Sequence, residues 1–232
     1  MGRKSKRFRE IAEKIDLEKE YSIEEAVATL QSCPPVKFDQ TIDVALKLGV
    51  DPRKADQQVR GTVSLPNGTG QTAVVLVLCK GDKVQEALDA GADHAGSDEL
   101  ITKIQGGWTD FTAVVATPDM MREVGKLGKV LGPRGLMPTP KAGTVTTDVA
   151  TAVREIKAGK VEFKTGKDGV INNAIGKISF EKGQLAENVQ AFLQAILRAK
   201  PSGAKGNYMQ RLFLSSTMGP GLRISASEIP SA

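Results

Sequence analysis

The stretch TIDVALKLGV, residues 41–50, alternates apolar side chains with polar or small ones over its whole length. A period of two predicts a long β-strand with one buried face, because successive side chains of a strand point to opposite faces of the sheet. Residues 59–65 repeat the alternation, and Pro66-Asn67-Gly68 ends it. The first block of the chain is therefore predicted to contain antiparallel strands.

Helical signals precede this strand. Ile11 and Ile15 fall on one face of a helix, and Ser22 followed by Glu25 is typical of a capping box at the start of a second helix, residues 22–31. Two prolines directly after Cys33 end that helix. The predicted content of this block is thus helix and antiparallel strand.

The pattern changes near residue 72. Residues 73–79, AVVLVLC, are continuously apolar, as expected of a strand that is buried on both faces of a parallel sheet. A helical stretch at 83–90, a second buried run at 111–116 and a helix that opens at Pro118 follow. The middle of the chain is predicted to be a layered α/β domain.

Alternation returns from residue 160, in VEFKTG, in the segment up to Phe180 and in residues 208–215, around a helix at 184–199. The two ends of the chain resemble each other more than they resemble the middle. We therefore predict a mixed α+β and α/β protein with two domains. Residues 1–67 and 160–232 form a split α+β domain, and residues 68–159 form an inserted α/β domain.

Charge and composition exclude several classes of protein. The chain has 232 residues, 32 basic and 27 acidic, and a net charge of +5. Its longest apolar run is far shorter than the roughly 18 residues of a membrane helix, and its N-terminus lacks a secretory signal. Its two cysteines have no metal-ligand spacing. A protein of the reducing cytoplasm, without membrane span or metal, is expected. The basic excess lies outside residues 68–159 and permits a nucleic-acid partner.

Residues 125–146, GKLGKVLGPRGLMPTPKAGTVT, contain five glycines, three prolines, four basic residues and no acid. The cations Lys129, Arg134 and Lys141 make a phosphate or an anionic polymer the expected ligand. The alternative is that glycine and proline only shape a long connection. The spacing is not GxGxxG, and no GxxxxGK[ST] occurs in the chain, which argues against a nucleotide-binding enzyme.

Other candidate sites are weaker. The basic N-terminal arm, with Arg3, Lys4, Lys6, Arg7 and Arg9, suits a phosphate backbone, although a solvated tail explains it equally well. We interpret residues 67–72, NGTGQT, as a hinge between domains rather than a phosphate loop.

A catalytic pair is not supported either. Cys79 and His94 lack a third orienting group, and His94 is predicted to lie in a polar surface loop. Only ten residues are aromatic, which disfavours a binder that stacks single-stranded bases, so folded RNA is the favoured nucleic acid.

Four segments together resemble the ribosomal protein L-one family, the large-subunit proteins of the mobile lateral stalk. They are GKLGKVLGPRGLMPTPKAGTV in the basic segment, VKFDQTIDVALKLGVDPRKADQQVRGTVSLPNGTG at 36–70, FKTGKDGVINNAIGKISF at 163–180 and SSTMGPGLRI at 215–224. The resemblance covers essentially the whole chain. It implies a two-domain protein in which a split α+β domain carries a Rossmann-like, three-layer α/β insertion.

The resemblance also implies a set of RNA-binding residues in the split domain. They are Lys37, Phe38, Thr41, Lys167, Gly169, Thr217, Met218 and Gly219. The two lysines would meet phosphates, the threonines sugar hydroxyls or phosphate oxygens, and the glycines would admit close peptide groups. Phe38 and Met218 would form an apolar floor. Many relatives have histidine where this chain has Asn172, so a contact that needs an imidazole is not expected here.

The partners implied by the resemblance are large-subunit rRNA, exit-site tRNA whose release the stalk assists, and the mRNA of the protein's own operon, whose translation it would repress. Lys129, Arg134 and Lys141 would form a secondary RNA-facing loop. No cofactor, metal, membrane or small-molecule substrate is implied, and no enzymatic activity. The rival interpretations are a nucleotide-dependent enzyme that uses the α/β insertion and a nucleic-acid binder that relies on charge alone.

Overall fold

The computed structural model describes residues 5–16, 18–204 and 206–230. The helices are α1 (Lys6–Lys14), α2 (Ile23–Gln31), α3 (Lys83–Asp89), α4 (Asp98–Gln105), α5 (Met121–Gly125), α6 (Gly128–Leu131), α7 (Val149–Lys157) and α8 (Lys182–Arg198). The strands are β1 (Glu20–Tyr21), β2 (Thr41–Leu48), β3 (Arg60–Ser64), β4 (Val75–Leu78), β5 (His94–Gly96), β6 (Ala113–Ala116), β7 (Lys160–Lys164), β8 (Val170–Lys177), β9 (Met209–Ser216) and β10 (Gly221–Ile224). Together they form a mixed α/β structure, which confirms the mixed helix and sheet content of the predicted fold class.

The chain divides into two compact units, Met1–Gly70 with Glu162–Ala232 and Gln71–Val161. The units divide after Gly70 and after Val161, so Gly70, which lies beside Phe180, belongs to the first unit. Whether each unit folds as an independent domain with the predicted limits, 1–67 with 160–232 and 68–159, stays a prediction.

The first unit is built on a five-stranded sheet of order β1-β10-β9-β2-β8. β2 pairs antiparallel with β8 and with β9, whereas the short β1 runs parallel to β10. β3 and β7 form a separate two-stranded sheet. Because β8, β9 and β10 come from the second half of the sequence, the sheet joins both ends of the chain.

One face of this sheet is the core of the first unit. The apolar positions of β2 are fully buried, while Thr41, Asp43, Ala45 and Lys47 on the other face are only partly buried. Helices α2 and α8 pack against each other and against the strands, which covers the apolar face. The opposite face of β2 is left to side chains of mixed polarity, and it includes Thr41, one of the predicted binding residues.

The strand β4 is buried along its whole length in the second unit, as its continuous apolar run predicts. It is the middle strand of a parallel sheet of order β5-β4-β6. Side chains of α4, α5 and α6 cover one face, and side chains of α3 and α7 cover the other. Burial on both faces explains why the sequence of β4 shows no alternation.

The exit from the first unit is fixed to α8 by one buried amide. Asn188 is fully buried; its amide nitrogen donates to the carbonyls of Gly68 and Ile175, at 3.0 and 2.8 Å, and its Oδ1 accepts from the backbone N–H of Asn67 at 3.1 Å. Gly68 and Gly70 have positive φ angles, 67° and 69°, which explains the glycines of the predicted hinge. The first residues of that segment are therefore anchored to the first unit.

Two sequence-based expectations about local structure need correction. Helix α1 begins at Lys6, inside the segment interpreted as a basic arm, because the Ser5 side chain caps it by accepting from the N–H of Phe8. Arg3 and Lys4 of that arm lie outside the described residues. The prediction of a surface loop for His94 is wrong: the residue lies in β5, partly buried, with its ring 4.9 Å from that of Trp108.

Candidate nucleic-acid interface

The predicted binding residues of the first unit fall at the two ends of β2. Thr41 is the first residue of this strand and Leu48 the last. Seven steps of roughly 3.3 Å separate them, so the two groups lie roughly 23 Å apart along the strand. Residues 37–41 and 216–219 are here called the Thr41–Thr217 end. Lys47 and residues 166–169 are called the Gly169 end.

Hydrogen bonds between two threonines hold the Thr41–Thr217 end together. The backbone N–H of Thr41 donates to Oγ1 of Thr217 at 3.0 Å, and that hydroxyl donates to the Thr41 carbonyl at 3.3 Å. The backbone N–H of Thr217 donates to the same carbonyl at 3.0 Å. Segments that are 176 positions apart in sequence are thereby fixed in one geometry.

The loop after β9 is also held at Met218 and Gly219. The N–H of Met218 donates to Oε1 of the buried Gln40 at 3.0 Å, and the carbonyl of Met218 accepts from Nη1 of Arg7 at 2.9 Å. The N–H of Gly219 donates to the Ser216 carbonyl at 2.9 Å. The backbone of this loop is therefore placed before any ligand arrives.

Lys177 joins this end from β8, where it pairs in register with Thr41. Its ammonium donates to Oγ1 of Thr41 at 3.0 Å. Burial raises the pKa of the nearby Asp43 carboxyl above its ordinary value, and the charge of Lys177 opposes this only in part. The lysine therefore contributes positive charge beside a carboxylate that is poorly solvated.

The hydroxyls at this end retain capacity for a ligand. A threonine hydroxyl has one donor and two acceptor positions. Oγ1 of Thr41 accepts from Lys177, which leaves its proton available to donate to a phosphate or sugar oxygen. Oγ1 of Thr217 has used its proton and one lone pair on Thr41, and it can accept one further bond, as from a ribose 2′-hydroxyl.

Apolar and cationic side chains surround these hydroxyls. Phe38 and Met218 are 53% and 55% exposed, unusual values for such large apolar residues. Lys37 is exposed beside Phe38. Both apolar side chains belong to segments that the Gln40–Met218 hydrogen bond brings together. The structure thus brings together six of the eight predicted residues: Lys37, Phe38, Thr41, Thr217, Met218 and Gly219.

Gly219 has a reason within the chain to be glycine. A Cβ at this position would lie 2.2 Å from Oγ of the buried Ser216, a distance that side chains do not tolerate. That hydroxyl has no hydrogen-bond partner among the described residues. The resemblance attributes this glycine to the close approach of RNA, and the packing adds a second constraint, because Ser216 would have to change its rotamer to admit a side chain here.

The Gly169 end holds the remaining two predicted residues, Lys167 and Gly169. They lie in a turn in which the N–H of Gly169 donates to the Gly166 carbonyl at 3.0 Å, and the Gly169 carbonyl accepts from the N–H of Leu48 at 2.9 Å. Gly169 has a φ of 72°, which glycine adopts without strain. The structure therefore does not place these residues beside the threonines.

Positive charge gathers at the Gly169 end. Lys167 is exposed, and the ammonium of Lys47 donates to the carbonyl of Asp168. A groove of about 520 Å³ opens here, with Lys47, Lys54 and Gln210 among its lining residues. Between the two ends of β2, Asn172 is exposed on β8, in register with Ala45.

The second unit contains the segment 125–146, and most of its apolar side chains are structural. Leu127 and Leu131 are fully buried, and Leu136 and Met137 pack against the same core. The cations Lys129, Arg134 and Lys141 are exposed, and the guanidinium of Arg134 donates to the hydroxyl of Thr109. The segment is thus a packed connection with an exposed basic surface, which combines the two interpretations of its sequence.

Other kinds of site find little support in the described residues. Burial raises the pKa of the Cys79 thiol, so this cysteine is not an activated nucleophile. Within residues 5–16, 18–204 and 206–230, no three histidine, cysteine or acidic side chains gather as they would around a metal ion. None of the helices in the described ranges combines the length and apolarity that crossing a bilayer requires.

Three residues that hold or adjoin the Thr41–Thr217 end were not assigned to it from the sequence. Gln40 and Lys177 were not named as site residues, and Arg7 was named only as part of the basic arm. Lys177 follows Lys167 by ten positions, and the length of β8 carries it to the opposite end of the sheet. The register between β2 and β8 would have found it. No local signal in the sequence connects Arg7 with a loop 211 positions away.

Comparisons with known proteins extend over nearly the whole chain. The family described as Ribosomal protein L1p/L10e family matches residues 28–220. The chain is 70% identical over 228 residues to "Large ribosomal subunit protein uL1" of Protochlamydia amoebophila, covering 98% of this chain and 97% of that protein. Proteins of the same name from Chlamydia caviae and Cutibacterium acnes are 57% and 58% identical, covering 99% and 96% of both chains.

Proposed function

We propose that this chain, a member of the Ribosomal protein L1p/L10e family, binds large-subunit rRNA directly. The family identity makes it a structural, non-enzymatic component of the large ribosomal subunit. The Thr41–Thr217 end supplies the specific contacts and the Gly169 end supplies additional phosphate contacts. The large subunit is a cytoplasmic particle, in agreement with the compartment expected from the sequence.

The observation that carries the proposal is the hydrogen-bonded geometry of the Thr41–Thr217 end. Folded RNA presents 2′-hydroxyls, phosphates and a shallow minor groove, and proteins read these by shape and by groups held in fixed positions. Thr41 and Thr217 offer one donor and one acceptor whose positions are set by contacts within the chain. Groups that are already ordered lose less entropy on binding than mobile ones.

The surrounding side chains complete this surface. The ammonium groups of Lys37 and Lys177 neutralise phosphate charge, and the exposed Phe38 and Met218 lose apolar surface to water when RNA covers them. At the Gly169 end, Lys167 contributes charge from a surface turn. Specific binding therefore depends mainly on the first end and its salt dependence on both ends.

A binding experiment with two RNAs tests the proposal. We expect a folded fragment of large-subunit rRNA to bind much more tightly than a scrambled RNA of the same length and composition, at every salt concentration. A binder that relies on charge alone would bind both equally and lose about 0.7–0.9 log units of affinity per tenfold salt for each phosphate neutralised. Equal affinity for the two RNAs would therefore overturn the proposal.

A single substitution tests the threonine geometry. Thr217→Val keeps the side-chain volume but removes the hydroxyl that bonds to both backbone groups of Thr41. We expect about a tenfold loss of affinity for the folded fragment, equivalent to about 1.4 kcal/mol. Thr102→Val is the matched control, because it removes a hydroxyl bonded to a helix carbonyl in the second unit. An unchanged dissociation constant for Thr217→Val would remove this residue from the site.

The domain organisation is part of the proposal. Residues 1–67 and 160–232 would form a split α+β domain sufficient for specific rRNA binding, and residues 68–159 an inserted Rossmann-like domain. Lys129, Arg134 and Lys141 in the insertion would form a secondary RNA-facing surface. Replacing residues 68–159 by a short flexible linker should leave a folded protein that still prefers the folded fragment. Loss of that preference in a variant with native circular dichroism would contradict the arrangement.

Two further roles follow from the family. We propose that the protein helps to release tRNA from the exit site and that it represses translation of its own operon by binding its mRNA. Repression requires the rRNA fragment and the mRNA leader to compete for the same residues. Thr217→Val should weaken binding to both RNAs by similar factors. A variant that loses only rRNA binding would separate the two sites.

A further inference from the structure

Arg7 connects the N-terminal helix with the candidate RNA surface. Its Nη1 donates to the carbonyl of Met218 at 2.9 Å, and its Nη2 donates to the carbonyl of Pro34 at 3.0 Å. These acceptors lie 211 and 27 positions away in sequence. One planar guanidinium therefore bridges the loop after β9 and the segment that follows α2.

The bridge is anchored on the helix side as well. Ser5 caps α1, and Ile11 and Ile15 of the following turns are buried. Nε of Arg7 is buried and has no hydrogen-bond partner among the described residues. The guanidinium is thus enclosed by protein on that edge, unlike the charge of a solvated tail. The charge of Arg7 also reaches the neighbouring Cys33 thiol, where it partly offsets the rise in pKa that burial causes.

The contacts of Gln40 and Arg7 hold the two peptide groups that flank Met218. The N–H of Met218 is held by Gln40 and the carbonyl of Met218 by Arg7. The N–H and the carbonyl of Met218 are therefore both held in place, and its side chain is an exposed apolar group between Thr217 and Gly219. Loss of the Arg7 contact would release the carbonyl side of the loop while leaving the sheet intact.

We propose that Arg7 is a positioning residue for the RNA-binding loop 217–219, so that helix α1 forms part of the RNA site through structure and not through phosphate contact. Two of its N–H groups donate to carbonyls of the chain and Nε is buried, so three of its five N–H groups face the protein. The inference rests on the proposed rRNA binding. It gives part of the basic N-terminal segment a role that its composition did not indicate.

Lys6 provides the matched control. It lies next to Arg7 in the first turn of α1, carries the same charge and is exposed. Removing its side chain changes the net charge by the same amount as removing that of Arg7, but it breaks no contact with the loop. Arg7→Lys provides a second comparison, since one ammonium keeps the charge but cannot reproduce the planar bridge between two carbonyls.

The experiment measures three quantities for the full-length wild type and for Arg7→Ala, Arg7→Lys and Lys6→Ala. These are the affinity for the folded rRNA fragment, the slope of log affinity against log salt, and hydrogen exchange of residues 217–219 without RNA. For Arg7→Ala we expect about a tenfold loss of affinity, an unchanged salt slope and faster exchange of the Met218 and Gly219 amides. Arg7→Lys should fall between wild type and Arg7→Ala in affinity and exchange.

Several outcomes overturn the inference. If Arg7→Ala reduces the salt slope by about 0.7–0.9 and leaves exchange unchanged, Arg7 is a phosphate ligand. If affinity stays at the wild-type value, or if Lys6→Ala produces the same faster exchange, Arg7 does not position the loop. If Arg7→Ala does not fold, the affinity and the hydrogen exchange of Arg7→Lys decide instead. Failure of the proposed function is recognised separately, because the wild type would then bind folded and scrambled RNA equally.

Discussion

The two ends of β2 carry residues predicted for the same task, but they are built differently. At the Thr41–Thr217 end, four separate segments of the sequence, around residues 7, 41, 177 and 217, are held together by hydrogen bonds of side chains and backbone. The Gly169 end joins only two segments: hydrogen bonds within residues 166–170 form the turn, and Lys47 and Leu48 of β2 donate to the carbonyls of Asp168 and Gly169. Shape recognition needs groups fixed relative to one another, whereas phosphate neutralisation needs only charge nearby. The two ends are therefore expected to respond differently to substitution.

The largest effect is expected at Gly219. Gly219→Ala places a methyl group 2.2 Å from Oγ of Ser216, and overpacking of this kind costs about 1–3 kcal/mol. We expect a lower thermal midpoint and at least a tenfold loss of rRNA affinity, because the loop after β9 must move.

A double variant, Ser216→Ala with Gly219→Ala, tests whether contact with the Ser216 hydroxyl causes the loss. Oγ of Ser216 has no hydrogen-bond partner within the described ranges, so Ser216→Ala alone should be close to neutral. In the double variant the nearest side-chain atom of residue 216 is the Cβ, at 3.4 Å, and most of the stability and affinity should return. If the double variant is no better than Gly219→Ala, the clash is not the cause.

A smaller effect is expected at Gly169. Gly169→Ala forces an alanine into a positive φ of 72°, which costs about 1–2 kcal/mol. We expect that loss of unfolding free energy in a urea titration, but a smaller loss of rRNA affinity than for Gly219→Ala. Gly183→Ala is the control, because no atom lies within 4 Å of the added methyl group. A larger affinity loss at Gly169 than at Gly219 would reverse the ranking of the two ends.

Tyr208 binds the chain directly after β2, near the Gly169 end, and carries a titratable hydroxyl. The carbonyl of Tyr208 accepts from the N–H of Gly49 at 2.7 Å, and the hydroxyl of Tyr208 donates to the carbonyl of Ile196 at 3.2 Å. Burial raises the pKa of the Tyr208 hydroxyl to about 12. The raised folded-state pKa means that the unfolded chain loses this proton first. The contribution of the protonated Tyr208 to the free energy of unfolding is therefore fully present below about pH 10 and is lost as the pH rises through about 12.

Tyr208→Phe tests this anchor. We expect the variant to be less stable by about 1 kcal/mol at neutral pH, because the hydrogen bond from the Tyr208 hydroxyl to the Ile196 carbonyl is lost, although that carbonyl keeps its bond from the N–H of Ala199. Its unfolding free energy should also fall less between pH 10 and 12 than that of the wild type. Chemical unfolding at several alkaline pH values measures both effects, and parallel pH profiles for the two proteins would contradict the assignment.

The smallest effect on the fold is expected for Lys167→Ala. Its side chain is exposed in the turn, so the unfolding free energy should not change measurably. The salt slope for rRNA binding should fall by about 0.7–0.9, the contribution of one phosphate contact. Lys182→Ala, on α8, is the control and should leave the slope unchanged. An unchanged slope for Lys167→Ala would remove this lysine from the interface.

Elements fixed by neighbouring residues could be predicted from the sequence. Ser22 does cap α2, accepting from the N–H of Glu25, and β2 alternates between buried and partly buried positions as its pattern requires. The continuously apolar β4 is buried on both faces. These features follow from the helical and strand periods, which act over a few residues.

Contacts between distant segments could not be predicted in this way. Nothing near Arg7 indicates a bond to Met218, and nothing near Gly219 indicates that Ser216 fills the space of its missing side chain. The resemblance to a family selected Thr41 and Thr217, but only the strand register shows that they bind each other and Lys177. The sequence could assign residue types to a site, whereas their mutual geometry depends on the tertiary fold.

The placement of β2 between β8 and β9 has a consequence for the time at which the protein becomes functional during synthesis. Both neighbours of β2 are encoded more than 120 positions downstream of it, and Thr217 lies close to the C-terminus. Residues 71–161 are complete earlier and contain their own parallel sheet. A nascent chain therefore leaves the apolar side of residues 41–48 without its neighbouring strands until β8 and β9 have been synthesised, and the Thr41–Thr217 end can form only after β9.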